Sequence, residues 1–277
     1  MSDAVLTLGF SSCPNDTFMF HALVHGLVPW SGPPLRPVIE DIEALNARAC
    51  DPDGARLSFT KLSVGALPEV LEHYAVLGAG AALGRGVGPL VVRHAGRPEL
   101  ARLADLDGCT VAIPGLRTTA WRLLQAFAPA SVRPLPMRFE QVMPAVAQGR
   151  VDAGLVIHEG RFTFAGYGLE RIADLGEHWE AATALPVPLG VIAAQRAIEP
   201  SLRAALQRAL AQSVAAAFAD PRASRAWVES LAQELAPDVI DRHIALYVGD
   251  DSRALSTDGR AAIETLLQRL GAARSPW

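Results

Sequence analysis

A predicted buried strand is followed directly by polar residues in the stretch Gly149-Arg-Val-Asp-Ala-Gly-Leu-Val-Ile-His-Glu-Gly-Arg-Phe-Thr-Phe164. The mostly apolar run 151–157 predicts the strand, and His158 follows it directly. In open α/β sheets ligands bind at the carboxyl ends of strands, because the loops there can present polar side chains to a crevice. The stretch therefore predicts an α/β fold with His158 near a ligand.

His158 is a candidate general base, because an imidazole exchanges a proton near neutral pH. A histidine at a strand end is more often a hydrogen-bonded structural residue, so its position alone leaves both interpretations open. Metal binding is not predicted, since position 162 is Phe and no Cys/His cluster with zinc spacing occurs in the sequence. Glu159 alternates to the opposite face of the strand, so a group that orients His158 must come from elsewhere.

The composition indicates a globular protein with a small ligand. The chain has 277 residues, half of them hydrophobic, and a net charge of -4. This length favours one large domain or two of ordinary size. The absence of a basic run argues against nucleic acid as a partner, and no apolar window reaches the ~18 residues of a membrane span.

The cysteines and the start of the chain predict a cytoplasmic protein. Cys13, Cys50 and Cys109 are an odd set without paired spacing, which suits thiols in a reducing compartment. The first ten residues carry neither a positive n-region nor an apolar h-region, so we expect no secretion signal.

Polar side chains follow each of the first predicted strands, at 5–10, 36–42 and 57–60. They are Asn15, Asn46, Lys61 and Ser63, with Leu62 between the last two in the run Lys61-Leu62-Ser63. Asn15 lies at a turn into a helix, where a carboxylate or phosphate would be stabilised, but capping alone also explains it. A lysine at an element boundary is usually solvated, so a Schiff-base role for Lys61 is not favoured.

A second α/β progression starts near residue 90 and repeats this arrangement. Strand 110–113 leads through Pro114-Gly-Leu-Arg to Thr118, Thr119 and Ala120 at the start of a helix. Two hydroxyls beside the N–H groups of a first helical turn suit a carboxylate or a sugar hydroxyl, although capping needs only one of them.

The run 78–89 holds five glycines and predicts either close approach to a ligand or a hinge. Nucleotide binding is not supported, because the run lacks Gly-Lys-Ser/Thr and does not open a helix. A second Pro/Gly-rich segment lies near residue 188, and we expect these two segments to link the lobes. We therefore expect two lobes, residues 1–92 with 189–277 and residues 93–188, with the ligand between them and Ala-rich helices packed on the first lobe.

Several of these stretches together resemble the 1,4-dihydroxy-6-naphthoate synthase family of the futalosine route to menaquinone. The matching pieces span most of residues 8–194 and are Gly9–Phe18, Asp41–Asn46, Thr60–Ser63, Gly80–Val92, Thr118–Ala120, Ile157–Phe164 and Pro186–Gly190. Ser12 stands where the family often has Pro, and Ala184 stands where Gly is common.

The resemblance implies a two-lobed periplasmic-binding-protein-like fold of type II with a ligand cleft between the lobes. It also implies a cofactor-free carbon-carbon lyase that converts cyclic dehypoxanthine futalosine to 1,4-dihydroxy-6-naphthoate and releases a ribose-derived fragment. His158 matches the family's base. Substrate contacts are expected from Lys61, Leu62, Ser63, Thr118, Thr119 and Ala120, with Asn46 and Asn15 as further candidates.

Two other functions share this plan. A solute-binding protein would hold a small carboxylic acid without chemistry, and it would usually carry a secretion signal. The sibling chorismate dehydratase is disfavoured by the Cys-Pro-Asn-Asp-Thr and Ile-His-Glu stretches. The sequence is compatible with a monomer or a homodimer, and incubation with the futalosine substrate would separate the functions.

Overall fold

A computed structural model describes residues 5–54, 56–232 and 236–277. The chain divides into two α/β units. The first unit contains the residues up to Gly84 together with Pro188–Trp277, and the second contains Arg85–Val187. Within the described ranges, no helix has the length and hydropathy needed to cross a membrane.

The chain up to Gly84 alternates strands with helices. In order, these elements are β1 (Leu6–Phe10), α1 (Pro14–Val24), β2 (Leu35–Ile39), α2 (Ile42–Cys50), β3 (Phe59–Ser63), α3 (Leu67–Val70), β4 (Tyr74–Val76) and β5 (Ala82–Gly84).

The second unit continues the α/β alternation. Its elements are β6 (Leu90–His94), β7 (Thr110–Ile113), α4 (Thr119–Phe127), β8 (Arg133–Pro136), α5 (Phe139–Ala147), β9 (Ala153–Val156), α6 (Gly160–Thr163), β10 (Leu169–Asp174) and α7 (Leu175–Thr183).

The rest of the chain is one long strand followed by helices. These elements are β11 (Val187–Gln195), α8 (Pro200–Ala219), α9 (Arg225–Leu231), α10 (Pro237–Tyr247), α11 (Asp250–Arg253) and α12 (Thr257–Arg269). Three of the longer helices start with proline, namely α1 with Pro14, α8 with Pro200 and α10 with Pro237. The fixed φ of proline suits the first helical position, and a backbone N–H there would make no hydrogen bond within the helix, so its absence costs nothing.

The sheet of the first unit has the order β2-β1-β3-β11-β4, with β5 paired to β11. Strand β1 is parallel to β2 and β3, whereas β11 is antiparallel to β3 and β4. Helices α1, α8, α9 and α10 pack together, and their buried residues join those of the sheet in one apolar core that includes Phe10, Phe20, Phe59 and Leu210. All five residues of β3 are buried, including the polar residues Thr60, Lys61 and Ser63.

The sheet of the second unit has the order β10-β6-β9-β7-β8. Strand β7 is parallel to both β8 and β9, whereas β6 is antiparallel to β9 and β10. Its core includes Val92, Ala112, Val142 and Val146. Because β7 and β9 run in the same direction, the segments that follow them leave the sheet at the same edge.

The first unit boundary differs from the one expected from sequence. The sequence assigns residues up to 92 to the first lobe, whereas the structure divides the chain after Gly84 and again after Val187. The difference arises because β6 hydrogen-bonds with β9 and β10 in the second sheet. Strand pairing, which local pattern does not reveal, therefore decides to which unit residues 85–92 belong.

Near this boundary, Gly88 allows close backbone packing, whereas Ala184 has a backbone conformation that favours glycine. A Cβ on Gly88 would lie 2.1 Å from the backbone nitrogen of Gly176, so the glycine-rich run permits close backbone packing here. Ala184 follows α7 with φ +59, a left-handed conformation that costs an L-residue with a Cβ. The backbone conformation explains why glycine suits position 184 better than alanine.

Candidate functional site

A buried ion pair lies in the sheet of the first unit. The Lys61 ammonium on β3 donates to the Asp16 carboxylate in the first turn of α1. Their side chains are 5% and 0% exposed, respectively. The sequence interpretation of Lys61 as a solvated boundary residue is wrong, because β3 extends to Ser63 and pairs with β11 on one side and β1 on the other.

The Asp16 carboxylate is saturated with donors. Its Oδ2 accepts from the Ser11 backbone N–H at 3.0 Å and the Ser11 hydroxyl at 2.6 Å. Its Oδ1 accepts from Asn15 Nδ2 at 2.9 Å and from Lys61 Nζ. Donors occupy both oxygens, so few acceptor sites on this carboxylate remain for another hydrogen-bond partner.

Asn15 does not cap α1, so the capping interpretation from the sequence does not explain it. The N-cap residue of α1 is Cys13, and its side chain makes no cap hydrogen bond. Asn15 instead links Asp16 to a distant helix, because His243 Nε2 on α10 lies 3.0 Å from Asn15 Oδ1. His243 is fully buried, and its ring lies 4.7 Å from that of Tyr247.

A second polar pair lies on the same face of β3. Lys61 and Ser63 are two residues apart on a strand, so their side chains share a face, whereas Leu62 points to the other face. Asn46 Oδ1 accepts from the Ser63 backbone N–H at 2.9 Å, and Asn46 Nδ2 donates to the Ser63 hydroxyl oxygen at 3.0 Å. The Ser63 hydroxyl can therefore donate its own proton to another acceptor.

Space for the lysine depends on β11. Gly190 pairs with Ser63 in the β3–β11 register, and a Cβ at position 190 would lie 3.3 Å from Lys61 Cε. This separation is tight, so glycine at this position leaves room for the lysine stem.

The composition contains a signal for this site. Of the 25 basic residues, 24 are arginine, and Lys61 is the sole lysine of the 277 residues. A compact ammonium and a planar guanidinium are not interchangeable in a buried ion pair. The sole lysine of the chain therefore occupies a position where lysine and arginine would fit differently. Asp16 and His243 could not be found in this way, because the Lys61–Asp16 and His243–Asn15 contacts join residues that are distant in sequence.

The second unit brings His158 and the start of α4 to one edge of its sheet. The parallel pairing of β7 and β9 aligns Val111 with Ala153 and Ala112 with Gly154. The loop to α4 follows β7, and His158 follows β9, so both lie at the carboxyl edge that the sequence predicts. His158 has φ +54, an uncommon conformation for a residue with a side chain.

Packing and an ion pair position the segment around His158. The His158 ring makes an edge contact with Phe139, with centroids 5.1 Å apart. Three residues on, the Arg161 guanidinium donates to Asp174 Oδ2 at 2.6 Å and to the Gly88 carbonyl at 2.5 Å. Backbone strain at a half-buried histidine that is held by its neighbours is typical of functional sites.

The two threonines at the start of α4 have different roles. The Thr118 hydroxyl accepts from the Trp121 backbone N–H at 3.2 Å and donates to the Gly115 carbonyl at 2.8 Å. Thr118 is therefore the helix cap. Thr119 and Ala120 are the first two helical residues, and both are buried. Their backbone N–H groups belong to the first turn, which stabilises an anion.

The predicted residues thus fall into two clusters. Lys61, Ser63, Asn46 and Asn15 lie in the first unit, and His158, Thr118, Thr119 and Ala120 lie at one sheet edge of the second. Leu62 is fully buried, and its side chain is separated from the polar face of its strand.

The fold is that of the periplasmic substrate-binding proteins. The chain is similar to the alkanesulfonate-binding protein of Xanthomonas axonopodis pv. citri, with a TM-score of 0.72, 15% identity and coverage of 99% of this chain and 95% of that chain. It is also similar to a protein of Archaeoglobus fulgidus, with a TM-score of 0.87, 32% identity and 97% coverage of both chains. These similarities confirm the predicted fold class.

Sequence relatives identify the family. A family model described as menaquinone biosynthesis matches residues 6–272. A 1,4-dihydroxy-6-naphthoate synthase of Streptomyces coelicolor is 46% identical and covers 98% of this chain and 95% of its own. A protein of the same name from Thermus thermophilus is 47% identical, covering 94% and 92%. The chain belongs to the menaquinone biosynthesis family, which confirms the resemblance found in its sequence.

Proposed function

We propose that this protein converts cyclic dehypoxanthine futalosine to 1,4-dihydroxy-6-naphthoate and releases a ribose-derived fragment. It acts as a carbon-carbon lyase in menaquinone biosynthesis. Identities of 46% and 47% to two enzymes of that name support this activity. The structural observation that carries the proposal is His158, a half-buried imidazole with φ +54 at the carboxyl edge of a sheet.

His158 is the general base in this proposal. A neutral imidazole can accept a proton as the ribose-derived fragment departs, and a positioned base contributes typically ~10²- to 10⁴-fold to such a step. Asp16 is a poorer candidate because its oxygens already accept from Ser11, Asn15 and Lys61. The Lys61 amine is held in an ion pair with Asp16, which argues against its use as a nucleophile.

Lys61 and Ser63 bind the carboxylate of the substrate in this proposal. An ammonium has three N–H donors, of which Asp16 accepts one, and the Ser63 hydroxyl can donate its proton as well. The two side chains lie on one face of β3, held by Asp16 and Asn46. Their positions are therefore fixed before the ligand binds, which reduces the entropy lost on binding.

The first turn of α4 contributes a further anchor for substrate oxygens. The backbone N–H groups and the positive end of the helix dipole favour an anionic or strongly polar group. Thr119 and Ala120 occupy this turn, whereas Thr118 supports it as the cap. Asn15 and Asn46 act on the substrate through the side chains that they hold.

The proposed reaction requires no cofactor, because formation of the aromatic ring supplies the driving force. Positioning, a base and donors for developing oxyanions are then sufficient. A cytoplasmic location is part of the proposal. The thiol state of Cys13, Cys50 and Cys109 supports it.

The test is incubation of the purified protein with cyclic dehypoxanthine futalosine and detection of 1,4-dihydroxy-6-naphthoate by mass spectrometry. We expect time-dependent product from the wild type and strongly reduced product from His158→Asn. His178→Asn is the matched control, because His178 is exposed on α7 in the same unit. Binding of the substrate without any turnover by the wild type would instead favour a solute-binding protein.

A further inference from the structure

A chain of side-chain hydrogen bonds joins a C-terminal helix to Lys61, which is proposed above to bind the substrate carboxylate together with Ser63. His243 lies on α10, Asn15 and Asp16 on α1, and Lys61 on β3. The contacts are His243 Nε2 to Asn15 Oδ1 at 3.0 Å, Asn15 Nδ2 to Asp16 Oδ1 at 2.9 Å, and Lys61 Nζ to the same Oδ1. His243, Asn15, Asp16 and Lys61 are all buried.

The direction of each hydrogen bond follows from the carboxylate. An ionised Asp16 can only accept, so the amide nitrogen of Asn15 must face it and the amide oxygen must face His243. The His243 Nε2 must then carry a hydrogen, whatever the state of its other ring nitrogen. The orientation of the Asn15 amide is therefore set at both of its ends.

We propose that His243 is a positioning residue, which acts through Asn15 and Asp16 to hold the Lys61 ammonium in place for an anionic substrate. Removing the His243 donor leaves the Asn15 oxygen buried and without that partner, so the amide turns. Asp16 Oδ1 then loses one of its two donors, and the carboxylate that directs Lys61 can rotate. This role rests on the proposed function only for its effect on the substrate.

Packing alone does not require a histidine at this position. Helix α10 also contributes Val239, Ile240 and Tyr247 to the interior, and an apolar residue would fill a fully buried site without the cost of desolvating an imidazole. One polar contact of this ring is directed at the Asn15 side-chain oxygen. A positioning role accounts for both the burial and the direction.

The sole lysine makes the inference testable without any substrate. Protein with a lysine-free tag is produced with lysine ¹³C-labelled at Cε, so that the Cε–Hε signal in a heteronuclear NMR spectrum reports on Lys61 alone. The variants are His243→Met, which removes the donor, His243→Gln, which replaces it, and Asn15→Leu, which breaks the chain. Ile240→Val is the control, because Ile240 is fully buried on the same helix.

We expect the Lys61 signal to move in His243→Met, to return toward the wild-type position in His243→Gln, and to stay in place in Ile240→Val. His243→Met combined with Asn15→Leu should shift it no further than Asn15→Leu alone, because the histidine acts through the asparagine. A wild-type signal in folded His243→Met overturns the proposal. If that variant does not fold, a wild-type signal in Asn15→Leu overturns it equally.

Kinetics give the second readout. With cyclic dehypoxanthine futalosine as substrate, His243→Met should raise KM by about tenfold and change kcat little, because a displaced anchor weakens binding rather than the proton transfer. An unchanged KM beside a shifted Lys61 signal would refute the effect on the substrate. A wild type without turnover would refute the proposed function, whereas the NMR comparison would still decide the positioning role.

Discussion

Breaking the Lys61–Asp16 ion pair should have very unequal effects from its two sides. Lys61→Met leaves a buried carboxylate that still accepts from the Ser11 N–H, the Ser11 hydroxyl and Asn15 Nδ2. Asp16→Leu leaves a buried ammonium whose one hydrogen-bond partner within the described ranges was that carboxylate. It also removes the acceptor of Ser11 and Asn15.

The magnitudes follow from these partners. Lys61→Met removes one hydrogen bond to a charged group, and we expect a loss of about 1.5–3 kcal/mol in the free energy of unfolding. Asp16→Leu leaves the buried Lys61 ammonium without its counter-ion, which costs about 3–5 kcal/mol. It also leaves at least one buried donor without its acceptor, which costs a further ~1–3 kcal/mol. The double variant should be more stable than Asp16→Leu alone, because it no longer buries a lone ammonium.

The assay is urea denaturation of the wild type, both single variants and the double variant, followed by circular dichroism. Because the chain has two units, the comparison uses the transition that the single variants shift. Equal losses in the two single variants, or a double variant less stable than Asp16→Leu, would refute the reasoning. Either result would mean that Lys61 reaches water when its partner is removed.

Four further outcomes are expected. His158→Asn should lower kcat by about 10²- to 10⁴-fold with KM nearly unchanged in steady-state assays, whereas His178→Asn should match the wild type. Ser63→Ala should weaken binding of 1,4-dihydroxy-6-naphthoate by about 1–3 kcal/mol in calorimetry, and a wild-type affinity would remove Ser63 from the site. Ala184→Gly should raise the free energy of unfolding by about 1 kcal/mol, because the left-handed conformation no longer costs a Cβ. Burial raises the pKa of Tyr74 to about 12, so its neutral form stabilises the fold below pH 10 and this contribution is lost as the pH rises toward 12. Urea titrations across that range should show a flatter dependence in Tyr74→Phe.

Local sequence was sufficient for much of the fold. The β-branched run at 110–113 predicts strand β7 with the bounds that the structure shows. The strand expected at 151–157 is observed at Ala153–Val156, and His158 lies just beyond it as expected. The hydroxyl of Thr118 caps α4. These features depend on side-chain periodicity and capping, both of which act over a few neighbouring residues.

Tertiary structure decided how the candidate site is held. From the sequence, Lys61 is interpreted as a residue at a strand boundary. Pairing of β3 with β11 instead places it inside a sheet, opposite Ile192, which lies 131 positions further along the chain. Asn15 is interpreted as a helix cap until His243 lies beside it. His243 meets Asn15 from 228 positions away, a contact that follows from helix packing and leaves no local pattern in the chain. Sequence alone determined the alternation of strands and helices and the family motifs, because these rest on short-range preferences. The buried ion pair and its support arise from long-range pairing, which exists only once the chain has folded.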